Sequence, residues 1–233
     1  DKNHTYIPKE IKVLEDLDYL HITSNNTIFG TQFHTFPDTN SPLVADMSSD
    51  IFSRKINFSN FDLIYAGAQK NIGAAGVTMV ILKKEILEKN KRKIPSILSY
   101  QNHVEKQSLY NTPPVFSIYT CMLNMEWILK SGGIEAIEKK NIEKAKLLYN
   151  EIDNNDAFYG FVEKSDRSNM NVTFGTNNNY NSEKFNRMCS NNDINGIKVH
   201  RSVGGFRVSL YNAISIDSVK VLVELMQKFN KEG

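Results

Sequence analysis

The stretch "IYAGAQKNIGAAGVTMVIL", residues 64–82, decides how the chain is read. An apolar run, Ile64-Tyr65-Ala66-Gly67-Ala68, leads to Gln69 and Lys70, and small residues dominate from Asn71 to Gly76 before a second apolar run begins. A lysine normally sits among polar neighbours with its ammonium in water. This one closes what looks like a buried strand. A free lysine titrates near ~10.4 and is a poor nucleophile at neutral pH. Apolar walls or a nearby cation lower that value, and the neutral amine can then form a Schiff base. The small residues on both sides are expected to leave room for a bulky ring to approach the backbone. The competing reading is a lysine that snorkels from a strand end into solvent.

Outward toward the N-terminus, "LVADMSS" (43–49) has the same buried-strand pattern and ends in an aspartate and hydroxyls. It is the strand-like run just before the one leading to Lys70. In an α/β sheet, Asp46 and Lys70 would project from neighbouring strand ends into one crevice. A carboxylate there either caps the following loop or holds a proton on a pyridine nitrogen, as in pyridoxal phosphate (PLP) enzymes.

The rest of the first half fits an α/β organisation. "DYLHIT" (18–23), "LVADMS" (43–48), "DLIYAG" (62–67) and "GVTMVIL" (76–82) are apolar runs of strand length bounded by turn residues. Such near-continuous runs predict strands buried on both faces. "SNNT" and "PDTNSP" read as loops. Helices follow "NTPP" (111–114): Ile118, Met122, Met125 and Leu129 keep helical spacing, and Gly132-Gly133 stop the run. That Met-rich stripe and Trp127 are expected to pack in the core. A second helix spans about Ile134 to Ile152 with Ile137, Ala145 and Leu148 on one face. Residues 158–233 read as a smaller α+β unit: "SNMNVTFGT" and "GFRVSLYNA" as strands, "NSEKFNRMCSNN" as a helix. The last helix is capped at Ser215 or Asp217 and carries Val219, Leu222, Val223, Met226 and Phe229 on one face.

Bulk properties exclude several function classes. The chain has 233 residues, 40% hydrophobic and 23% charged, with a net charge of +2. That charge is too small to favour nucleic acid, and "KKEILEKNKRK" (83–93), the densest basic cluster, contains two glutamates and reads as a solvated helix and loop. A nucleotide-binding module is disfavoured by the absence of GxxxxGK and GxGxxG, and "GAAG" (73–76) is too loose to replace them. Five scattered histidines offer no metal-ligand spacing, so no metal is expected. Two distant cysteines, Cys121 and Cys189, fit a reduced, cytoplasmic protein. No apolar run is long enough to span a membrane.

In "GFRVSL", Arg207 and Ser209 alternate with Phe206, Val208 and Leu210, so Arg207 faces away from the core side. A guanidinium suits bidentate capture of a carboxylate. His200 and Arg201 precede a Gly-Gly turn and suit a dianionic phosphate. The plainer alternative is an exposed strand with two surface arginines. His21, a single histidine on a strand, reads as a satisfied core or edge residue and is left out of the site. Tyr65, Asn71, Ser48 and Ser49 lie near the proposed crevice, where packing or loop capping accounts for them equally well.

Taken together, "SNNTIFGTQF", "VADMSSDIFSRKI", "IYAGAQKNIGAAGVT", "YNTPP" and "HRSVGGFRVSLYNA" resemble the phosphoserine aminotransferase family, class V PLP enzymes on the fold-type I scaffold. The blocks run in family order from residue 18 to the C-terminus. The resemblance implies an α/β fold in which residues 1–134 are part of the PLP-binding large domain and residues 135–233 form the small C-terminal domain. It implies transamination between L-glutamate and 3-phosphohydroxypyruvate, giving 2-oxoglutarate and phosphoserine in serine biosynthesis. Lys70 would bind the cofactor and shuttle the proton at the substrate Cα, and Asp46 would pair with the pyridine nitrogen. Thr27 would hydrogen-bond the phenolic oxygen, and Gln69 would contact the phosphate. Asn111 and Thr112 would reach the phosphate bound in the neighbouring subunit of a homodimer. Arg207 would take the α-carboxylate, with His200 and Arg201 on the substrate phosphate or the glutamate side chain, in the family from across the dimer.

The resemblance also implies that roughly the first third of a typical member is missing. That third supplies a ring-stacking aromatic, phosphate-cradling backbone and further strands. The alternative expectation is therefore a non-catalytic, dimerising remnant. Ala74 stands where many relatives carry proline, and Met47 where an aromatic is common.

Overall fold

The computed structural model describes residues 4–14, 17–89, 92–198 and 204–232. Its first sheet has the order β1 (Leu20–Thr23), β2 (Leu43–Asp46), β3 (Leu63–Gly67), β4 (Thr78–Leu82). The pairs β1–β2 and β2–β3 are parallel, and β3–β4 is antiparallel. One face carries Ile22, Leu43, Ala45, Ile64 and Ala66, all buried with Met47, Ile51 and Ile72 in one cluster. The other face carries His21, Thr23, Asp46, Tyr65 and Thr78 and is open to differing degrees. The expectation of strands buried on both faces is thus corrected. Residues alternate strictly between the two faces of a strand, and among the described residues only one face of this sheet has a layer against it.

After β4 come two short helices, α1 (Lys84–Lys89) and α2 (Tyr100–Glu105), then α3 (Val115–Lys130) and α4 (Gly133–Asn154). Gly132 and Gly133 make the turn between the long helices with φ of +100° and +78°, as the Gly-Gly pair predicts. The core stripe expected on α3 is not there. Ile118, Met122 and Leu129 are exposed, as is Trp127, and only Met125 packs against the sheet's core. The helix turns a mixed face inward instead, with Ser117, Cys121, Asn124 and Ile128 on it. Ser117 Oγ donates to Ala75 O at 2.7 Å, and Asn124 Nδ2 donates to the carbonyls of Asn71 and Ile72 at 2.7 and 3.0 Å. Spacing alone found the helix but not which face is buried, because the backbone it packs against needs donors.

The second sheet is antiparallel, β5 (Phe158–Gly160), β6 (Asn171–Thr176), β7 (Phe206–Ser209). Helices α4, α5 (Ser182–Asn191) and α6 (Ile216–Glu232) pack with it around Leu148, Ile152, Phe174, Phe185, Phe206, Met226 and Phe229. The expected face of α6 is buried in full, and Ser215 Oγ accepts from Ser218 N at 3.1 Å as its cap. Ile137, Ala145 and Leu148 of α4 are also buried.

Buried polar contacts tie the sheets together. Asn25 Nδ2 donates to Ser49 Oγ and to Asn171 Oδ1, both at 2.8 Å. On α4, Asn141 Nδ2 reaches Ser53 O and Asn212 Oδ1 at 2.9 Å each, and the Asn212 backbone N–H donates to Asn71 Oδ1 at 3.1 Å.

Candidate active site

Lys70 sits in the turn that leaves β3. The turn is closed by Ile72 N and Gly73 N donating to Ala68 O at 3.1 and 2.8 Å, and Asn124 of α3 caps its last carbonyls. Gly73 is required for that docking. A Cβ there would lie 2.9 Å from the backbone nitrogen of Cys121. At this position, then, the small residue admits α3 rather than a ring.

Lys70 is half-buried, and its Nζ donates to Thr27 Oγ1 at 2.7 Å. Thr27 is held by its loop: Asn26 Oδ1 accepts from Ile28 N and Phe29 N, and Gly30 closes the turn with φ +82°. Burial pushes the Lys70 amine below its ordinary value of 10.5. The Asp46 charge opposes that shift, Arg207 adds to it, and Asp50 opposes it more weakly. Lysine, aspartate and arginine from three separate segments therefore act on one crevice.

Asp46 ends β2, paired across the sheet with Thr23 and Tyr65. Its Oδ1 accepts from Ser48 N at 2.8 Å, and Ser48 Oγ in turn accepts from Gly67 N at 3.1 Å. The carboxylate is thus oriented by the loop that follows it, so loop capping and a site role coexist. Asp50 is wholly buried. It takes hydrogen bonds from Ser24 Oγ, from Gln32 Nε2 at 3.1 Å and from Arg54 Nη2 at 3.1 Å. It stiffens the wall behind the crevice.

Gln69 is exposed beside Lys70, with its amide over Gly67, where a Cβ would lie 2.6 Å from Oε1. Arg207 lies on β7 opposite Thr173 of β6. Asn111 and Thr112 are exposed, and the Asn111 amide donates only locally, to Thr112 O at 3.1 Å. The fold does not bring them to Lys70. His200 and Arg201 lie outside the described residues. Sequence reasoning passed over Asn124 and Asp50, and it weighed His21 and Tyr65 without placing them in the site. The signal for Tyr65 was its place opposite Asp46 on the next strand. Among the described residues, no group of three or more His, Cys, Asp or Glu could hold a metal ion.

A mixed sheet whose parallel strands lead to an aspartate and a half-buried lysine has a match among known families: the aminotransferase class-V model fits residues 3–222, and the chain belongs to that family. Within it, the chain is 56% identical to the phosphoserine aminotransferase of Flavobacterium johnsoniae over 97% of its own length and 64% of that protein's. It superposes with a TM-score of 0.96 on a solved phosphoserine aminotransferase at 47% identity, covering all of this chain and 66% of that one. The PLP-bound phosphoserine aminotransferase of Trichomonas vaginalis matches with a TM-score of 0.92 at 38% identity, over 97% of this chain and 65% of that one. The fold is therefore the fold-type I scaffold. The chain spans just under two-thirds of the length of these relatives.

Proposed function

We propose that the complete protein carrying this chain is a PLP-dependent transaminase that moves an amino group between L-glutamate and 3-phosphohydroxypyruvate, giving 2-oxoglutarate and phosphoserine. The observation that carries this reading is Lys70, half-buried, held by Thr27 at 2.7 Å, within the fields of Asp46 and Arg207. The donor set fits the cofactor. Asp46 offers an oriented carboxylate for a protonated ring nitrogen, and Thr27 offers a hydroxyl beside the lysine for a phenolic oxygen. When bound, PLP supplies an aldehyde carbon that an amine can bond and a ring that takes up electrons. Everything else is work for side chains. Lys70, its amine weakened as a base by burial, carries the proton at the substrate Cα. Arg207 holds the α-carboxylate through its fork of N–H donors. Gln69 meets the cofactor phosphate, and His200 and Arg201 take the substrate phosphate.

Asn111 and Thr112 reach a cofactor phosphate only from a second copy, so the working unit is a homodimer. The exposed outer face of α3, with Val115, Phe116, Tyr119 and Leu123, supports that pairing. The division at residue 134 is supported by the sheets, which lie within residues 20–82 and 158–209. Contacts cross it, since Ile7 N donates to Asp166 Oδ2 at 2.8 Å. No described helix is long and apolar enough to cross a membrane, in keeping with a cytoplasmic enzyme. The second reading, a non-catalytic dimerising remnant, draws on the open sheet face beside Asp46. The two separate in one experiment. L-glutamate added alone to the PLP-loaded protein should release about one 2-oxoglutarate per site, as ping-pong transfer requires. No release would sink the enzyme reading.

A further inference from the structure

Lys70 follows the last strand turn of the first sheet and Arg207 lies on the second, and the residue after Lys70 joins the segments that carry them. Asn71 is buried, only 2% exposed. Its backbone carbonyl takes Asn124 Nδ2 of α3 at 2.7 Å. Its side chain serves the second sheet: Oδ1 accepts from the backbone N–H of Asn212 at 3.1 Å, and Nδ2 donates to Met170 Sδ at 3.7 Å. Met170 stands just before β6 and Asn212 just past β7, and Leu210 N donates to Met170 O at 2.7 Å beyond the last paired residues of those strands. We propose that Asn71 is a positioning residue: its side chain docks the Lys70 turn on the segment that follows β7 and so holds Lys70 and Arg207 in one register across the two sheets.

The segment that Asn71 docks on is itself anchored at every residue. Lys144 Nζ donates to the carbonyls of Leu210 and Tyr211 at 3.0 Å each. Asn212 Oδ1 accepts from Asn141 Nδ2, and Asn212 Nδ2 donates to Phe52 O, both at 2.9 Å. Residues 210–212 therefore extend β7 as one stiff piece, and the strand bearing Arg207 is fixed with it. An amino acid carries its α-proton and its carboxylate on the same carbon. The group that moves the proton and the group that grips the carboxylate must then keep a set separation, and a misplacement of about 1 Å can cost about 100-fold in rate. Space filling does not account for an asparagine here. An apolar side chain would fill a buried position without desolvating an amide, but it would leave the Asn212 N–H with no acceptor.

This inference rests on the reading of Lys70 as carrier of the Cα proton and Arg207 as holder of the α-carboxylate, and its test has two arms. In the PLP-free complete protein, amide hydrogen exchange is followed by NMR. Asn71→Ala should speed exchange at the Asn212 N–H by about tenfold, the loss of one buried acceptor, and an unmoved rate would overturn the docking. In the PLP-loaded protein, a double-mutant cycle is measured with L-glutamate, each rate taken per bound PLP so that a smaller folded fraction does not register. Asn71→Ala should lower kcat/KM by about 100-fold, as misplacement of the two groups requires. In the Arg207→Ala background the same substitution should cost less than about threefold, because the partner it aligns is gone. Losses that simply multiply would overturn the proposal, since Asn71 would then act without regard to Arg207. Where Asn71→Ala gives no folded protein, Asn212→Ala takes its place in the cycle with the same two outcomes: it keeps the backbone N–H but releases the anchors to Phe52 and Asn141. If Lys70→Ala or Arg207→Ala alone leaves kcat/KM unchanged, the reading of that residue has failed and the proposal falls with it. If both lower it and Asn71→Ala does not, that reading stands and the positioning role is overturned.

Discussion

At residue scale, Lys70 was legible because its surroundings contradict its chemistry: an ammonium placed where water is scarce. Asp46 was legible from the same pattern one strand earlier. Loop capping, one of the two readings of Asp46, is what orients its carboxylate, through Ser48 N two residues on. The partner of Lys70 was not legible: Thr27 lies 43 residues away, and a pairing of that kind leaves no local periodicity to read. Arg207 shows the gain from period 2, since alternation alone set it on the opposite face from Phe206. Its charge adds to the lowering of the Lys70 amine. Replacing it should separate binding from cofactor loading. Arg207→Ala in the complete protein is expected to cut kcat/KM by about 100-fold, the loss of a bidentate carboxylate contact, with PLP occupancy unchanged. Steady-state kinetics with a spectrophotometric PLP count checks both halves, and an unchanged kcat/KM removes Arg207 from the site.

At element scale, period reading succeeded where apolar contacts dominate and misjudged the face where they do not. Helix α6 buries the stripe its sequence predicts. Helix α3 inverts it, because the carbonyls of the Lys70 turn must be satisfied and Asn124 and Ser117 do so. Helix α4 holds a comparable surprise in Lys144. It is only 2% exposed, with Nζ donating to the carbonyls of Leu210 and Tyr211 at 3.0 Å each. Burial lowers its pKa from 10.5 to about 8. In the unfolded chain the amine keeps its proton up to the higher value. Between about pH 8 and 10.5 the unfolded state therefore binds more protons, and folding stability rises with pH. Below that window both states are protonated and the burial penalty is at its full, constant size. The neutral amine still has two N–H groups for the two carbonyls. Urea unfolding of the wild type should show a gain on the order of 2–3 kcal/mol across the window that Lys144→Met lacks. Parallel stability curves for the two proteins would contradict it.

At the scale of the whole molecule, the two-sheet organisation was readable from the order of strand and helix patterns. The open face of the first sheet was not, because apolar runs on strands look alike whether one face or both are covered. The exposed apolar face of α3 was equally hidden, since an amphipathic stripe does not say whether it meets its own core or another chain. Phe116 is 73% exposed on that helix. Phe116→Asp is expected to weaken self-association by at least about tenfold in sedimentation equilibrium, as a charge placed in an apolar contact should. Unchanged association would move the interface elsewhere. The central claim is that Lys70 is the residue this fold prepares for a carbonyl cofactor. Its most direct test is to incubate the chain with PLP, reduce with borohydride and map the modified peptides by mass. The account predicts near-stoichiometric modification at Lys70, lost in Lys70→Ala. Label scattered over the surface lysines, or absent, would contradict it.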